Sequence, residues 1–152
     1  MAISPNTDFS AGAVLTNTQL NNFPRGVMAF NTATTSDTTI TAEEVQITGS
    51  SFTAVANRYY KITYFEAGMS AGSSTGGNAR IRLTNLAGAV QQLQGFAVLS
   101  TGGGFVHMSA VTTLTAGTTN FVATLSSDSG TITASRSATR YAFLLVEDIG
   151  PA

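Results

Sequence analysis

At 152 residues the chain is sized for one domain, a length that buries roughly 68–70% of the surface its unfolded form exposes. Only 10% of residues are charged, against about 25% in a typical soluble domain, and with a net charge of −1 no polybasic stripe points to nucleic acid or an acidic membrane. There are no cysteines, which removes disulfides, thiolate nucleophiles and Cys-ligated zinc together. A surface so poor in charge and rich in Thr, Ser, Ala and Gly is what remains when much of it faces other protein. A monomeric sandwich with a hydroxyl-rich exterior is the alternative, and association is the preferred reading. No basic segment precedes an apolar stretch near Met1, and no run approaches the ~20 apolar residues that span a bilayer. The expectation is a soluble product without a recognisable secretion signal.

Met1–Ala13 is polar, with Pro5 and Gly12, and reads as an extended arm. Thr16 and Gln19 then form a Thr-x-x-Gln capping box, with Leu15 and Leu20 at the two staple positions, and Pro24 limits the helix on its far side. The pattern predicts one short helix over Asn17–Phe23, too brief to be stable alone, so it must dock on its own domain or on a neighbouring subunit. From Gly26 the punctuation turns to β, which divides the chain into an anchoring arm with a helix (1–25) and a β domain (26–152). Gly26–Asn31, Glu44–Thr48 and Ser51–Val55 are short strand candidates. Arg58–Glu66 alternates clearly, Tyr60, Ile62 and Tyr64 on one face and Tyr59, Lys61, Thr63 and Phe65 on the other. Gly68–Gly77 reads as a long mobile loop.

Asn78–Leu83 alternates again, Ile81 and Leu83 inward, Arg80 and Arg82 outward. Phe96–Leu99 and Phe105–Leu114 are parted by Gly102-Gly103-Gly104, a hairpin-type break, and Leu114–Gly117 is a turn into Asn120–Leu125. Ser126–Gly130 turns once more before a short strand at Thr131–Ala134. Thr139–Ile149 is the most apolar run of the chain: Tyr141, Phe143 and Leu145 lie on one side of an extended backbone, Ala142, Leu144 and Val146 on the other, and Gly150-Pro151 closes it. A short run apolar on both faces is a central strand, paired between strands laid down earlier. Its second face calls for cover by another sheet or another subunit. Strands at about ten-residue spacing with Gly/Ser turns predict an all-β fold, a β-sandwich or jelly roll.

No catalytic, cofactor-binding or metal-ligating residue emerges. His107 is the only histidine and shares a strand face with Phe105 and Val111, so it reads as a packed or interfacial side chain. A ring of symmetry-related His107 side chains would make assembly sensitive to pH near 6.5. Glu43-Glu44 and Glu147-Asp148 are the only adjacent acids; neighbours on a strand point to opposite faces, so they read as solvated strand ends rather than a glycosidase pair. Asp128 suits a turn, and the glycine clusters match no phosphate-binding pattern. The four tyrosines read as core and interface packing.

Leu114-Thr-Ala-Gly117 before a strand, Phe121–Leu125, a short strand near Ile132 and Tyr141-Ala-Phe-Leu-Leu145 at the end resemble the closing section of the trimeric C1q/TNF-like jelly roll. That resemblance implies a homotrimer with the final-strand residues Tyr141, Phe143 and Leu145 at a threefold contact, to which the interfacial reading of His107 adds a fourth residue. The whole chain is also similar to small phage virion structural proteins, through Phe9-Ser-Ala-Gly-Ala-Val-Leu-Thr16, Pro24-Arg-Gly26, Asn57-Arg-Tyr-Tyr-Lys-Ile62 and the ending Tyr141–Pro151. This second resemblance implies a non-enzymatic virion protein, made in the host cytoplasm and carried on the particle exterior, with other phage structural proteins as partners. The expected place is the tail, as a fibre or tip component, with Leu15, Leu20 and Phe23 anchoring the module. Capsid decoration and a host-glycan-binding module are the alternatives. No coiled-coil heptads or collagen-like glycine triplets precede the β domain, which argues against a long self-made shaft.

Overall fold

The computed structural model describes Gly12, Val14 and residues 16–100 and 102–152. Most of the predicted arm, and with it Leu15, lies outside the described residues. The chain is nearly all β. After α1 (Asn17–Asn21) come β1 (Gly26–Ala33), β2 (Asp37–Ile40), β3 (Glu44–Thr48), β4 (Phe52–Ala54), β5 (Arg58–Ala71) and β6 (Thr75–Leu83). The second half holds β7 (Val90–Val98), β8 (Gly104–Thr113), β9 (Gly117–Thr119), β10 (Phe121–Ser127), β11 (Ile132–Ala134) and β12 (Ala142–Pro151). Every strand pairing is antiparallel.

One sheet is built on β5, whose first half lies between β12 and β8, while β1 pairs the other edge of β12. The end of β5 turns away from β8 and pairs β11, which pairs β2, so the sheet curls. The second sheet runs β3-β10-β6-β7, and β4 and β9 form a separate two-stranded ribbon whose Phe52 and Ala54 pack into the core. The last strand does pair between earlier ones, β1 and β5.

The two sheets share one core. Tyr60, Ile62 and Tyr64 of β5, Leu144 and Val146 of β12 and Val106 of β8 face Ile81 of β6 and Phe121, Ala123 and Leu125 of β10, all fully buried. The alternation predicted for β5 is the one observed. Each fully buried side chain of this size contributes about 1.5–3 kcal/mol relative to exposure.

Several expectations are corrected. Gly68–Gly77 is not a long loop: β5 continues to Ala71, β6 begins at Thr75, and three residues connect them. Gly77 serves close approach, since a Cβ there would stand 2.4 Å from the Ser126 carbonyl oxygen and 2.6 Å from the Phe96 ring. Gly150 and Pro151 extend β12 instead of ending it, because Gly150 accepts a φ of +119° beside a register shift at Asp148. Tyr141 lies just before β12 rather than inside it. β2, β9 and most of β7 carry Thr, Gly and Gln where a strand signal needs apolar alternation; pairing to neighbours makes them strands.

Candidate functional site

The outer surface of the β1-β12-β5-β8 sheet is where the aromatic side chains left out of the core collect. Alternation sends Leu144 and Val146 inward and leaves Phe143 and Leu145 half-buried on the outside. Register then sets residues from four strands in rows: Thr32, Phe143, Phe65 and His107 in one, Phe30, Leu145, Thr63 and Ser109 in the next. Ring centroids step across the sheet from Phe30 to Phe143 at 5.9 Å, from Phe143 to Phe65 at 5.4 Å and from Phe65 to His107 at 6.1 Å, the last edge-to-face. Aromatic pairs of this geometry are worth about 0.5–1.5 kcal/mol each. Phe30, Phe105 and Val111 are 53%, 63% and 59% exposed. Lys61 and Glu147, 4.0 Å apart, are the ion pair of this face.

Phe143, Leu145 and His107 thus share one surface, and Tyr141 borders it. Phe30 and Phe65 were not assigned there. Phe65 was legible from its alternation opposite Tyr60, Ile62 and Tyr64; Phe30 needed the pairing of β1 with β12.

The other sheet presents a different exterior. Arg80 and Arg82 of β6 lie outward but half-buried beneath Glu43, with Arg82 Nε 2.6 Å and Arg80 Nη1 3.3 Å from its carboxylate. The Thr124 hydroxyl donates to Glu43 at 2.7 Å. Glu43 is therefore not a solvated strand end. The hydrogen bond from Arg82, helped by Thr124 and the charge of Arg80, holds its carboxyl below the ordinary carboxylate value against the opposing effect of burial. A depressed folded-state pKa gives stability present above the ordinary value and lost as pH falls through the folded one. Glu43→Gln is accordingly expected to lower stability by about 1 kcal/mol at neutral pH and to flatten the acid limb of a stability–pH curve. Denaturant melts from pH 7 down to pH 3 check this, and parallel wild-type and variant curves would contradict it. Glu44 behaves oppositely, burial and the nearby Asp37 carboxylate raising its pKa.

The second acid pair is also corrected. Glu147 is half-buried on the aromatic face, whereas Asp148 is 1% exposed and accepts from Arg58 Nε at 2.5 Å and Nη2 at 2.8 Å, and from the Gly150 N–H at 3.0 Å. The same guanidinium donates to the backbone carbonyls of Asn21 and Phe23, both at 2.6 Å. The helix carries the predicted capping box and docks on its own domain through this clamp. Leu20 is 50% and Phe23 37% exposed. Neither Arg58 nor Asp148 was singled out as a functional pair from sequence, because 90 residues separate them.

A third cluster lies beneath the loop after β11. Glu66 is fully buried and accepts from Arg136 Nη2 at 2.6 Å and from the Tyr64 hydroxyl at 2.9 Å, while Arg136 also donates to Gln46 Oε1. Burial, then the Glu66 charge, pushes the Tyr64 hydroxyl well above its ordinary pKa, so it stays a donor. Among the described residues no three His, Asp or Glu side chains gather into a metal-ligand set. No protein-family model matches the chain, and comparison with curated proteins finds no match.

Proposed function

We propose that this chain is a non-enzymatic bacteriophage structural protein, a jelly-roll module that forms a homotrimer on the exterior of the tail through its outer aromatic face. The observation that carries the self-association is the asymmetry between the two exteriors. One sheet sets Glu43 over Arg80 and Arg82 on its outside, all half-buried and paired within the chain, among the exposed aliphatic side chains of Val45, Val90 and Leu93. The other leaves a ladder of rings from four strands, flanked by exposed Phe105 and Val111. A contiguous apolar face with few charges marks an interaction surface, and covering it gains roughly 25 cal/mol per Å² of apolar area. The wiring supports the jelly-roll reading, because each sheet interleaves early and late strands, β1-β12-β5-β8 and β3-β10-β6-β7, as nested Greek-key crossovers do. The number three and the virion setting rest on the sequence resemblances.

Light scattering over a range of concentrations tests the association. The expected solution mass is three times the 15.7 kDa of the chain, and Phe143→Glu is expected to give a folded monomer. A wild-type chain that stays monomeric, or a Phe143→Glu trimer, would sink the reading. Labelling intact particles tests the setting: signal on the head instead of the tail would replace the tail with capsid decoration.

A further inference from the structure

Of the seven Lys and Arg side chains, Arg58, Lys61, Arg80, Arg82 and Arg136 each meet a carboxylate. Arg25 and Arg140 have no such partner among the described residues, and of these two Arg140 lines a cleft. The cleft is about 360 Å³, at the lower end of the roughly 300–1,000 Å³ of small-ligand sites, and is walled by Phe65, Ala67, Thr139, Arg140, Tyr141 and Phe143. Three of its six side chains are aromatic, two bring hydroxyls, and one brings an unpaired cation.

The turn that carries the cation is closed by hydrogen bonds of its own backbone. Arg140 closes a tight turn with Ser137, its N–H donating to the Ser137 carbonyl at 3.2 Å and its own carbonyl accepting from the Ser137 N–H at 2.8 Å. The Ser137 hydroxyl oxygen accepts from the same Arg140 N–H at 3.1 Å. The guanidinium rests on bare backbone, its central carbon 3.5 Å from where a Cβ on Gly68 would stand. A planar fork of donors in a cleft that also holds three rings matches a ligand with a carboxylate on an otherwise amphipathic ring.

We infer that this cleft binds a carboxylated sugar unit. The guanidinium takes the carboxylate, Tyr141 and Phe143 take the C–H face of the pyranose, and the Thr139 and Tyr141 hydroxyls serve the ring's own hydroxyls. An aromatic acid would satisfy Arg140 and the rings but leave those hydroxyls unused. Phe65 and Phe143 belong both to the ladder and to the cleft, while Ala67, Thr139, Arg140 and Tyr141 lie outside the ladder, so a sugar and a second copy compete for these two rings. The inference does not rest on self-association.

The test is an NMR titration of the full chain with methyl glucuronide, methyl glucoside and benzoate. The expected result is saturable movement of the Arg140 Nε–H and of the Tyr141 and Phe143 ring signals with the glucuronide. The glucoside and benzoate should bind at least about ten-fold more weakly, and Arg140→Gln should weaken glucuronide binding by a similar factor with its unliganded ring signals unchanged. Absence of movement at those signals, an equal response to the glucoside or to benzoate, or an Arg140→Gln variant that binds like the wild type would each overturn it. A monomeric solution mass would leave both rings free in this titration, so the two proposals fail separately.

Discussion

Arg136→Met is expected to destabilise the fold by about 3–5 kcal/mol, the cost of leaving a buried carboxylate without its cation. Glu66 and the Arg136 side chain are 0% and 4% exposed, so solvent cannot take the place of the lost partner. The loss is not confined to one pair. Arg136 also donates to Gln46 and to the Thr35 carbonyl, and its backbone N–H donates to the Ser36 hydroxyl. It thus ties the segment after β11 to the chain on both sides of β2. Burial alone would lower the Arg136 pKa, but the hydrogen bond and charge of Glu66 outweigh it and hold the guanidinium above its ordinary value. For a chain of this length the change corresponds to a fall in Tm on the order of 10 °C. The double variant Arg136→Met, Glu66→Gln should recover part of the loss, because the Gln carbonyl still accepts from Tyr64 and no charge is stranded. Urea melts of the three proteins decide it. If the single variant costs under about 1 kcal/mol, the cluster does not hold these loops together.

The second large effect is expected at the helix clamp. Asp148→Asn removes the charge facing Arg58 and should cost about 3–5 kcal/mol, for the same reason. Arg58→Met strands Asp148 to a similar extent and also frees the carbonyls of Asn21 and Phe23. The two variants should therefore differ at the N-terminus. Hydrogen exchange at the Leu20 and Asn22 amides, which bond to Thr16 and Gln19 carbonyls, should accelerate more in Arg58→Met, since five helical residues hold no structure unaided. Arg58→Lys should not restore protection, because a single ammonium cannot reproduce the fork that spans one carboxylate and two carbonyls. Unchanged exchange in Arg58→Met would mean that the helix is held by other contacts.

The clamp also shows why part of the candidate site was legible in the sequence and part was not. The capping box at Thr16 and Gln19 is a local pattern, complete within four residues, and it folds as written. Asp148 looked like a solvated strand end because its partner is 90 residues away in the chain. Glu43 was misread for the same reason, its arginines lying on β6. The glycines of Gly68–Gly77 have the composition of a flexible loop; only the position of Phe96 on β7 shows that Gly77 is there to admit a ring. Alternation is likewise local: it grouped Tyr60, Ile62 and Tyr64 on one face of their strand and Phe143 and Leu145 on one face of theirs, and the packing then turned the first group inward and the second outward.

The sequence by itself determined the all-β class, the two-faced character of the last strand, the helix start and which side chains share a face in the strands that alternate, because these depend on spacing along a few residues. Tertiary structure alone decided which strands became neighbours. That pairing joined Phe30, Phe143, Phe65 and His107 into one ladder, turned two apparent surface acids, Glu43 and Asp148, into partners of arginines, buried Glu66 against Arg136, and left Arg140 without a carboxylate partner among the described residues, in an aromatic cleft. The physical reason is that antiparallel register sets contacts between residues tens of positions apart, and no property of either segment read alone carries that information.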